Sequence, residues 1–392
     1  MKRNLFTILL LCVFLLTAAL SAASSETLGF GFVNNTDVAL RRGIGGKTIV
    51  RLPKDTCVWI KDSAEDNKGV LWYEINVGIH TDDTANVDYS GWMKAEFIDA
   101  GEAVWNGVQS VKASYSGMIV LRKDGTVISA GRQMPPADGS DRTNMRVWNQ
   151  SLRDIQQVGI SEGGLVYYAL DINGTYHDFA FSSGMIGKNR LRLVGGKTWV
   201  YGITTDNRLL TGDSEVSCKW VYPHKPGAED ISHVVSIEAN PCRILLLTDD
   251  GKVFAAEDES RDTEPDWADW TDVVSLEASS AIFSGSSEYH TAYAAVRRDG
   301  TVLAAPDELA ALTGGWTDMA KVVIGGHWVL GLKQDGTVLA AGLAGKKPPD
   351  LSGWKDITDI GTGLDYCVGV RKDGTLIFAG DYIFMGEGHS RK

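Results

Sequence analysis

Cationic charge is scarce in this chain: 38 lysines and arginines face 50 aspartates and glutamates, a formal net charge of −12. A surface of that sign argues against a nucleic-acid partner, whose phosphates recruit Lys and Arg. Histidine is scarce as well. His80, His177, His224, His233, His290, His327 and His389 form no HExxH or HxxxH cluster, which leaves no foothold for a histidine-based metal site. There are only 5 cysteines. Cys12 lies in the N-terminal apolar run, and Cys57, Cys218, Cys242 and Cys367 match no zinc spacing. Cys218–Cys242 is the one pair to consider for a disulfide, and buried free thiols fit equally well.

Familiar phosphate and catalytic motifs are missing too. Gly46-Lys47-Thr48 would end a phosphate loop only with Gly at position 41, which is Arg41, and Gly196-Lys197-Thr198 fails likewise at Leu191. Gly159-Ile160-Ser161-Glu162-Gly163 matches G-x-S-x-G, but it falls between two strands rather than at a strand-to-helix turn. No D-x-D-x-D-G calcium loop occurs. The expectation is therefore no catalytic residue, no metal and no cofactor. An enzyme stays open only as an alternative, with carboxylates converging from different parts of the chain.

Long apolar runs are confined to the start. Lys2 and Arg3 precede an uncharged stretch from Leu5 to Leu20, followed by Ser21, Ala22, Ala23 and Ser24. A charged region, an apolar region and small residues in that order read as a secretory signal peptide over 1–23; the rival reading is an uncleaved anchor. No later stretch is long and apolar enough to span a bilayer, so the expected mature protein is exported and monomeric, secreted or held at the cell surface. Three sequons begin at Asn34, Asn149 and Asn173.

What the chain has in quantity is glycine, 44 residues, and tryptophan, 12, a composition suited to an all-β protein full of tight turns. Turn pairs fall at Asp124-Gly125, Asn173-Gly174, Asp206-Asn207, Asp250-Gly251, Asp299-Gly300, Asp335-Gly336 and Asp373-Gly374, about 42 residues apart on average. Asp-Gly favours a tight hairpin turn because Gly tolerates positive φ and Asp accepts it better than most residues. Three residues before each turn stands an aliphatic residue: Leu121, Leu170, Ile203, Leu247, Val296, Leu332 and Val370. The spacing is that of four-stranded propeller blades. Small residues four before the turn, such as Gly331 and Gly369, would let inner strands crowd a central axis. Lead-in tryptophans at Trp270, Trp316 and Trp354 are expected to pack between blades.

The repeat, a V-x-x-I strand, a Gly-rich loop, an aliphatic strand, DGTV and then Ala-Gly, resembles the RCC1-type repeat. That resemblance implies a seven-bladed β-propeller over 105–385, with a tail at 386–392. The segment 29–100 is distinct. Its "ALRRG" opening, "LPKDT" turn, "WYEI" strand and terminal "GWMKAEFI" resemble a bacterial SH3-like (SH3b) barrel, a module similar to those that bind cell-wall peptides or proteins. Its candidate surface aromatics are Trp72, Tyr73 and Trp92, which could equally fill the core of a small barrel.

In the propeller, the slot seven residues before each turn, where the family often has His, holds large residues at Trp199, Arg243, Trp328 and Tyr366, with His327 and Asp365 beside it. Trp, Tyr and Arg are common interface anchors. These residues are the candidate ligand-binding rim, against the alternative that they plug the channel or pack between blades. The function expected is non-enzymatic recognition: a propeller face binding an extracellular protein or glycan, and a barrel binding cell wall. The alternatives are a polysaccharide- or wall-acting hydrolase or lyase, and a structural scaffold.

Overall fold

The computed structural model describes residues 28–80, 86–115, 117–131, 149–161, 166–179, 190–195, 200–204, 209–211, 214–215, 220–221, 233–239, 244–256, 267–284 and 289–382. The expected leader and tail, Cys218, Cys242, Trp199 and Arg243 lie outside these residues. The fold is all-β and propeller-like, built mostly of repeated three-stranded antiparallel sheets.

The first body is a seven-stranded sheet of β1 (Gly29–Val33), β2 (Val38–Arg41), β3 (Thr48–Leu52), β4 (Cys57–Glu65), β5 (Leu71–His80), β6 (Asn86–Lys94) and β7 (Ile98–Asp99), in the order β3-β2-β6-β5-β4-β1-β7. Alternation along the strands sends Val38, Leu40, Ile75, Val77 and Met93 into one apolar core.

Seven small antiparallel sheets follow among the described residues. Their innermost strands are Val108–Ser114, Ile155–Ile160, Arg190–Gly195, Val234–Ala239, Val273–Ile282, Met319–Ile324 and Ile357–Thr362. Every one carries a β-bulge between its first and third residues. In the six whose burial is described, the first and fourth residues are buried and the second is exposed. A repeated bulge at one register is a built-in device that twists each strand alike.

The local chemistry behind this repetition sits at two positions. The turn glycines take positive φ, from +76° at Gly125 to +87° at Gly374. The aspartates before them do not take it; they act through their side chains. Asp124, Asp299 and Asp373 each accept from the backbone N–H and the hydroxyl of the threonine two residues on, and Asp335 accepts from the Thr337 N–H. Positive φ appears instead on the residue before the innermost strand: Asp154, His233, Asp272, Asp318 and Asp356, and Gly107 in sheet one. A short polar side chain is among the few that tolerate it.

These two positions meet between sheets. The N–H of Ile155 donates to Gly125 O, Val273 to Gly251 O, Met319 to Gly300 O and Ile357 to Gly336 O. Val108 of sheet one donates to Gly374 O of sheet seven at 2.9 Å, so the same bond joins the last sheet to the first. At Gly374 an added Cβ would lie 3.1 Å from Gly107 Cα; the glycine serves the junction as well as the turn.

The small residues four before the turn have a different role from axial crowding. A Cβ on Gly331 would meet the Trp316 ring at 2.5 Å, and one on Gly369 the Trp354 ring at 2.7 Å. These glycines seat the lead-in tryptophans. Trp354 then packs with Leu330 and Leu332 of sheet six as well as Ile357 and Ile377 of sheet seven, and Trp270 with Leu245 and Leu247 of sheet four.

The first body docks on sheets one and seven. Phe30 and Trp59 share a core with Met118, Val120, Tyr366, Phe378 and Tyr382. The rings meet edge-on, Phe30 with Trp59 at 4.9 Å and Trp59 with Phe378 at 5.7 Å between centroids, the arrangement aromatic quadrupoles favour. Trp105 Nε1–H donates to Phe30 O at 2.7 Å, and Lys61 pairs with Asp381 at 3.3 Å.

Candidate functional site

The expected rim residues part company in the structure. Tyr366 is buried in the core beneath the first body, and its hydroxyl donates to Gly117 O at 2.7 Å. Burial holds that phenol well above its ordinary pKa. Trp328 is also buried. Its ring packs with Trp354 and Leu330, and its Nε1–H donates to Lys347 O at 3.1 Å. As placed, neither ring offers a surface to a ligand. His327 and Asp365 are brought together: His327 Nδ1 lies 2.6 Å from Asp365 Oδ1, with the imidazole buried and the carboxylate about a third exposed. This pair ties sheet six to sheet seven.

The three aromatics of the first body divide by strand alternation. Tyr73 packs against the core. Trp72 pairs across the sheet with Lys94 and Trp92 with Glu74, which puts both tryptophans on the outward side. Trp72 is nonetheless covered, with its Nε1–H on Asp66 Oδ2 at 3.2 Å, and Trp92 is half-buried. Trp72 lines a hollow of about 350 Å³ with Arg41, Arg51 and Lys94.

A charged cluster on the axis went unforeseen. The innermost strands place Lys112, Glu238 and Glu277 around one cavity of about 70 Å³. Lys112 Nζ lies 3.8 Å from Glu238 Oε1, with the lysine side chain 41% exposed, and the Glu238 charge favours the protonated lysine. Beside them Lys321 Nζ reaches Asp359 Oδ1 at 2.6 Å and Ile360 O at 3.1 Å. Asp359 Oδ2 in turn accepts the Val111 N–H at 2.9 Å. Burial pushes the Glu277 carboxyl up to about 7, and the neighbouring Glu238 charge adds to this against the pull of Lys112 and Lys321. A Cβ on Gly159 would strike the Tyr168 ring, so that glycine admits Tyr168 to the same cavity. The Tyr115 hydroxyl donates to Ser280 O, spanning from sheet one to sheet five.

Two carboxylates in one cavity, one of them raised, is a pattern that general acid–base chemistry uses. The space decides against it here. About 70 Å³ holds on the order of two waters at roughly 30 Å³ each, far below the roughly 300–1,000 Å³ of ligand pockets.

A larger crevice of about 440 Å³ lies where the first body meets sheet one, lined among others by Phe32, Asp99, Arg122, Ser129 and Arg153. Arg122 donates from Nη2 to Val104 O at 2.5 Å. Asn149, the second sequon residue, is buried there and donates to Ser129 Oγ at 2.9 Å, a placement that removes it from glycosylation. The Cys57 and Cys367 thiols are free and buried, and burial pushes each up to about 12.

No family model and no curated protein sequence matches the chain. Among solved structures it is similar to the CRINKLY WD40 ectodomain of the Arabidopsis thaliana receptor kinase ACR4, at 13% identity and a TM-score of 0.41, covering 70% of this chain and 97% of that one. It is also similar to human WBSCR16, at 14% identity and a TM-score of 0.38 over 91% of this chain and 88% of that one. BamB from Moraxella catarrhalis gives 13% identity and a TM-score of 0.35 over 83% of this chain and all of that one (100%).

Proposed function

We propose that this chain is an exported, non-enzymatic binding protein: a leader at 1–23, an SH3-like (SH3b) barrel at 29–100 and an RCC1-like seven-bladed propeller at 105–385. A propeller face recognises an extracellular protein or glycan, and the barrel engages the cell wall. The observation that carries this reading is where usable space lies. Among the described residues, the axial cavity shared by Glu238 and Glu277 has room for about two waters, and the carboxylates of the junction crevice, Asp99 and Asp124, accept hydrogen bonds from Asn34 and Thr126. The ligand-sized hollows, about 440 and 350 Å³, lie at the barrel–propeller junction and on the barrel, and domain junctions are frequent ligand sites. Seven sheets among the described residues, with the same junction bond at five of their junctions, support the blade count.

With Tyr366 and Trp328 enclosed, the propeller face that remains to recognise a partner comprises the His327–Asp365 pair and, from the sequence, Trp199 and Arg243. The test is capture of partners from cell-wall extract and secreted protein by the immobilised mature chain. Loss of capture on replacing Trp199 and Arg243 by Ala, with melting unchanged, supports the propeller face. The reading fails if the wild-type chain retains nothing, or if purified chain releases new reducing ends from polysaccharide.

A further inference from the structure

An acidic chain gathers three cations around one hollow. Arg41 of β2, Arg51 of β3 and Lys94 of β6 line the barrel concavity with, among the described residues, a single carboxylate, Asp37. Register puts them there. Ala39 pairs with Arg51, Arg41 with Trp92 and Trp72 with Lys94. Because Leu40 and Met93 point into the core, their neighbours Arg41 and Lys94 must point out on the same side.

Like charges placed this close repel unless something compensates them. Arg51 has Asp37, through Nη1 to the side chain at 3.1 Å and to the carbonyl at 2.8 Å. Lys94 reaches Glu96 at 3.2 Å. Both pairs are largely exposed, and such pairs are weak and readily exchanged. Arg41 gives one N–H to Gly46 O at 3.0 Å and has no carboxylate partner among the described residues. The bond to Gly46 fixes the guanidinium and leaves its other donors for a guest. A guanidinium fork takes carboxylate or phosphate oxygens in parallel, bidentate fashion, with an ammonium adding charge without geometry. Trp72, held by Asp66, supplies an apolar wall.

We infer that this hollow is an oxyanion site, seating a carboxylate or phosphate group against Arg41 and Lys94 with Arg51 at its edge. The inference rests on the reading of the barrel as a ligand-binding module and names the chemistry of its ligand.

The test titrates ¹⁵N-labelled mature chain with inorganic phosphate and, separately, with glucuronate, at constant ionic strength, with glucose and sodium chloride as controls. Saturable binding of either oxyanion, shifting the Trp72 indole N–H resonance, is expected. Which of the two binds more tightly tells phosphate from carboxylate. Arg41→Gln should weaken binding about tenfold, the weight of one lost charge-assisted contact. Lys94→Gln should weaken it without touching the Arg41–Gly46 bond, so a folding defect in the first variant does not decide the matter. Lys54→Gln, at an exposed turn outside the hollow, should leave binding unchanged. No saturable shift with either oxyanion, equal effect of chloride, or unaltered affinity in both Arg41→Gln and Lys94→Gln overturns the site. Oxyanion binding by a chain that retains no wall material keeps this site and refutes the wall-binding reading. Wall retention without oxyanion binding does the reverse.

Discussion

Replacing Glu277 by glutamine is expected to stabilise the protein above neutral pH and to leave it nearly unchanged near pH 4.5. Four other inner strands and one second strand bring charge or a phenol to this carboxyl's surroundings: Lys112, Glu238, Lys321, Asp359 and Tyr168. Burial and the Glu238 charge together outweigh the two lysines and raise the carboxyl from an ordinary 4.5 to about 7. Between these values the folded protein binds more protons than the unfolded chain. Stability therefore falls as pH rises through this window, and is flat above it. At about 1.4 kcal/mol per tenfold change in proton affinity, the cost of ionised Glu277 at pH 8 is on the order of 3 kcal/mol.

Glutamine keeps the shape, and an oxygen that can still accept the Ile324 N–H that the carboxylate accepts, but it cannot ionise. At roughly 2.1 cal/mol/K per residue, over some 355 residues, the unfolding entropy is about 0.75 kcal/mol/K, so about 3 kcal/mol corresponds to about 4 °C in melting temperature. The assay is urea unfolding of both proteins at pH 4.5, 6 and 8, read as the difference between them, in which all other titrations cancel. The difference should be near zero at pH 4.5 and grow in favour of Glu277→Gln. If Glu277→Gln is instead less stable at pH 8 than wild type, the attraction of Lys112 and Lys321 exceeds the cost of burial, and the axial cluster is a stabilising ion network.

Phe30→Ala should cost about 3–5 kcal/mol, since its fully buried ring touches Trp59, Tyr366, Phe378 and Tyr382; calorimetry should then resolve the first body and the propeller-like sheets as separate transitions where wild type shows one. Gly369→Leu should cost at least about 1–3 kcal/mol by displacing Trp354 from its seat, measurable by denaturant unfolding, whereas Gly45→Ala, with open space around it but φ at +69°, should cost only about 1 kcal/mol through its backbone. The turn carboxyls of Asp124, Asp299, Asp335 and Asp373 are held below the usual range by their threonine donors; their contribution is complete above the ordinary aspartate pKa and is lost as pH falls through the depressed values, so changing all four to Asn should flatten the acid limb of the stability curve below about pH 4. Cys57 and Cys367 should resist a thiol reagent at pH 8 until the protein is unfolded, because both thiols are buried and raised to about 12; rapid labelling of the native protein would contradict the placement of both.

The parts of this molecule that were legible in the sequence are those set by local chemistry. Asp335-Gly336 forms its turn because glycine can take positive φ and a carboxylate can receive the Thr337 amide, and both facts hold within four residues. What the spacing could not convey is which neighbour each repeat acquires. Tyr366 stands in the same slot as its counterparts, yet it is enclosed because Phe30 and Trp59, more than 300 positions away in sequence, close over it. Gly331 and Gly369 were readable as small residues with a purpose, but the purpose is to receive a tryptophan from the lead-in of the same sheet. The axial charges did leave a signal. Val235-Ser236-Ile237-Glu238-Ala239 and Val274-Ser275-Leu276-Glu277-Ala278 repeat one another, each placing a glutamate in an otherwise apolar strand. Such a misfit argues for a buried polar partner, and Lys112 holds the corresponding position in sheet one.

That axial cluster also bears on where recognition belongs. A ring of small sheets leaves an axis that either stays open to a ligand or is filled by the protein itself. Among the described residues it is largely occupied: Lys112 pairs with Glu238 and Lys321 with Asp359 beside Glu277, Tyr168 enters over Gly159, and Tyr115 ties two far sheets together. Opening this axis for a guest would deprive part-buried charges of their partners, at a cost in stability. The surfaces where binding carries no such penalty are peripheral: the junction crevice and the cationic hollow of the first body, where exposed pairs exchange partners cheaply. Substitutions at the axis should therefore change stability and its pH dependence while leaving ligand capture intact, and substitutions at Arg41 should do the opposite. Capture lost with Lys112→Met in a chain whose melting is unchanged would reverse this assignment and return the axis to the binding site.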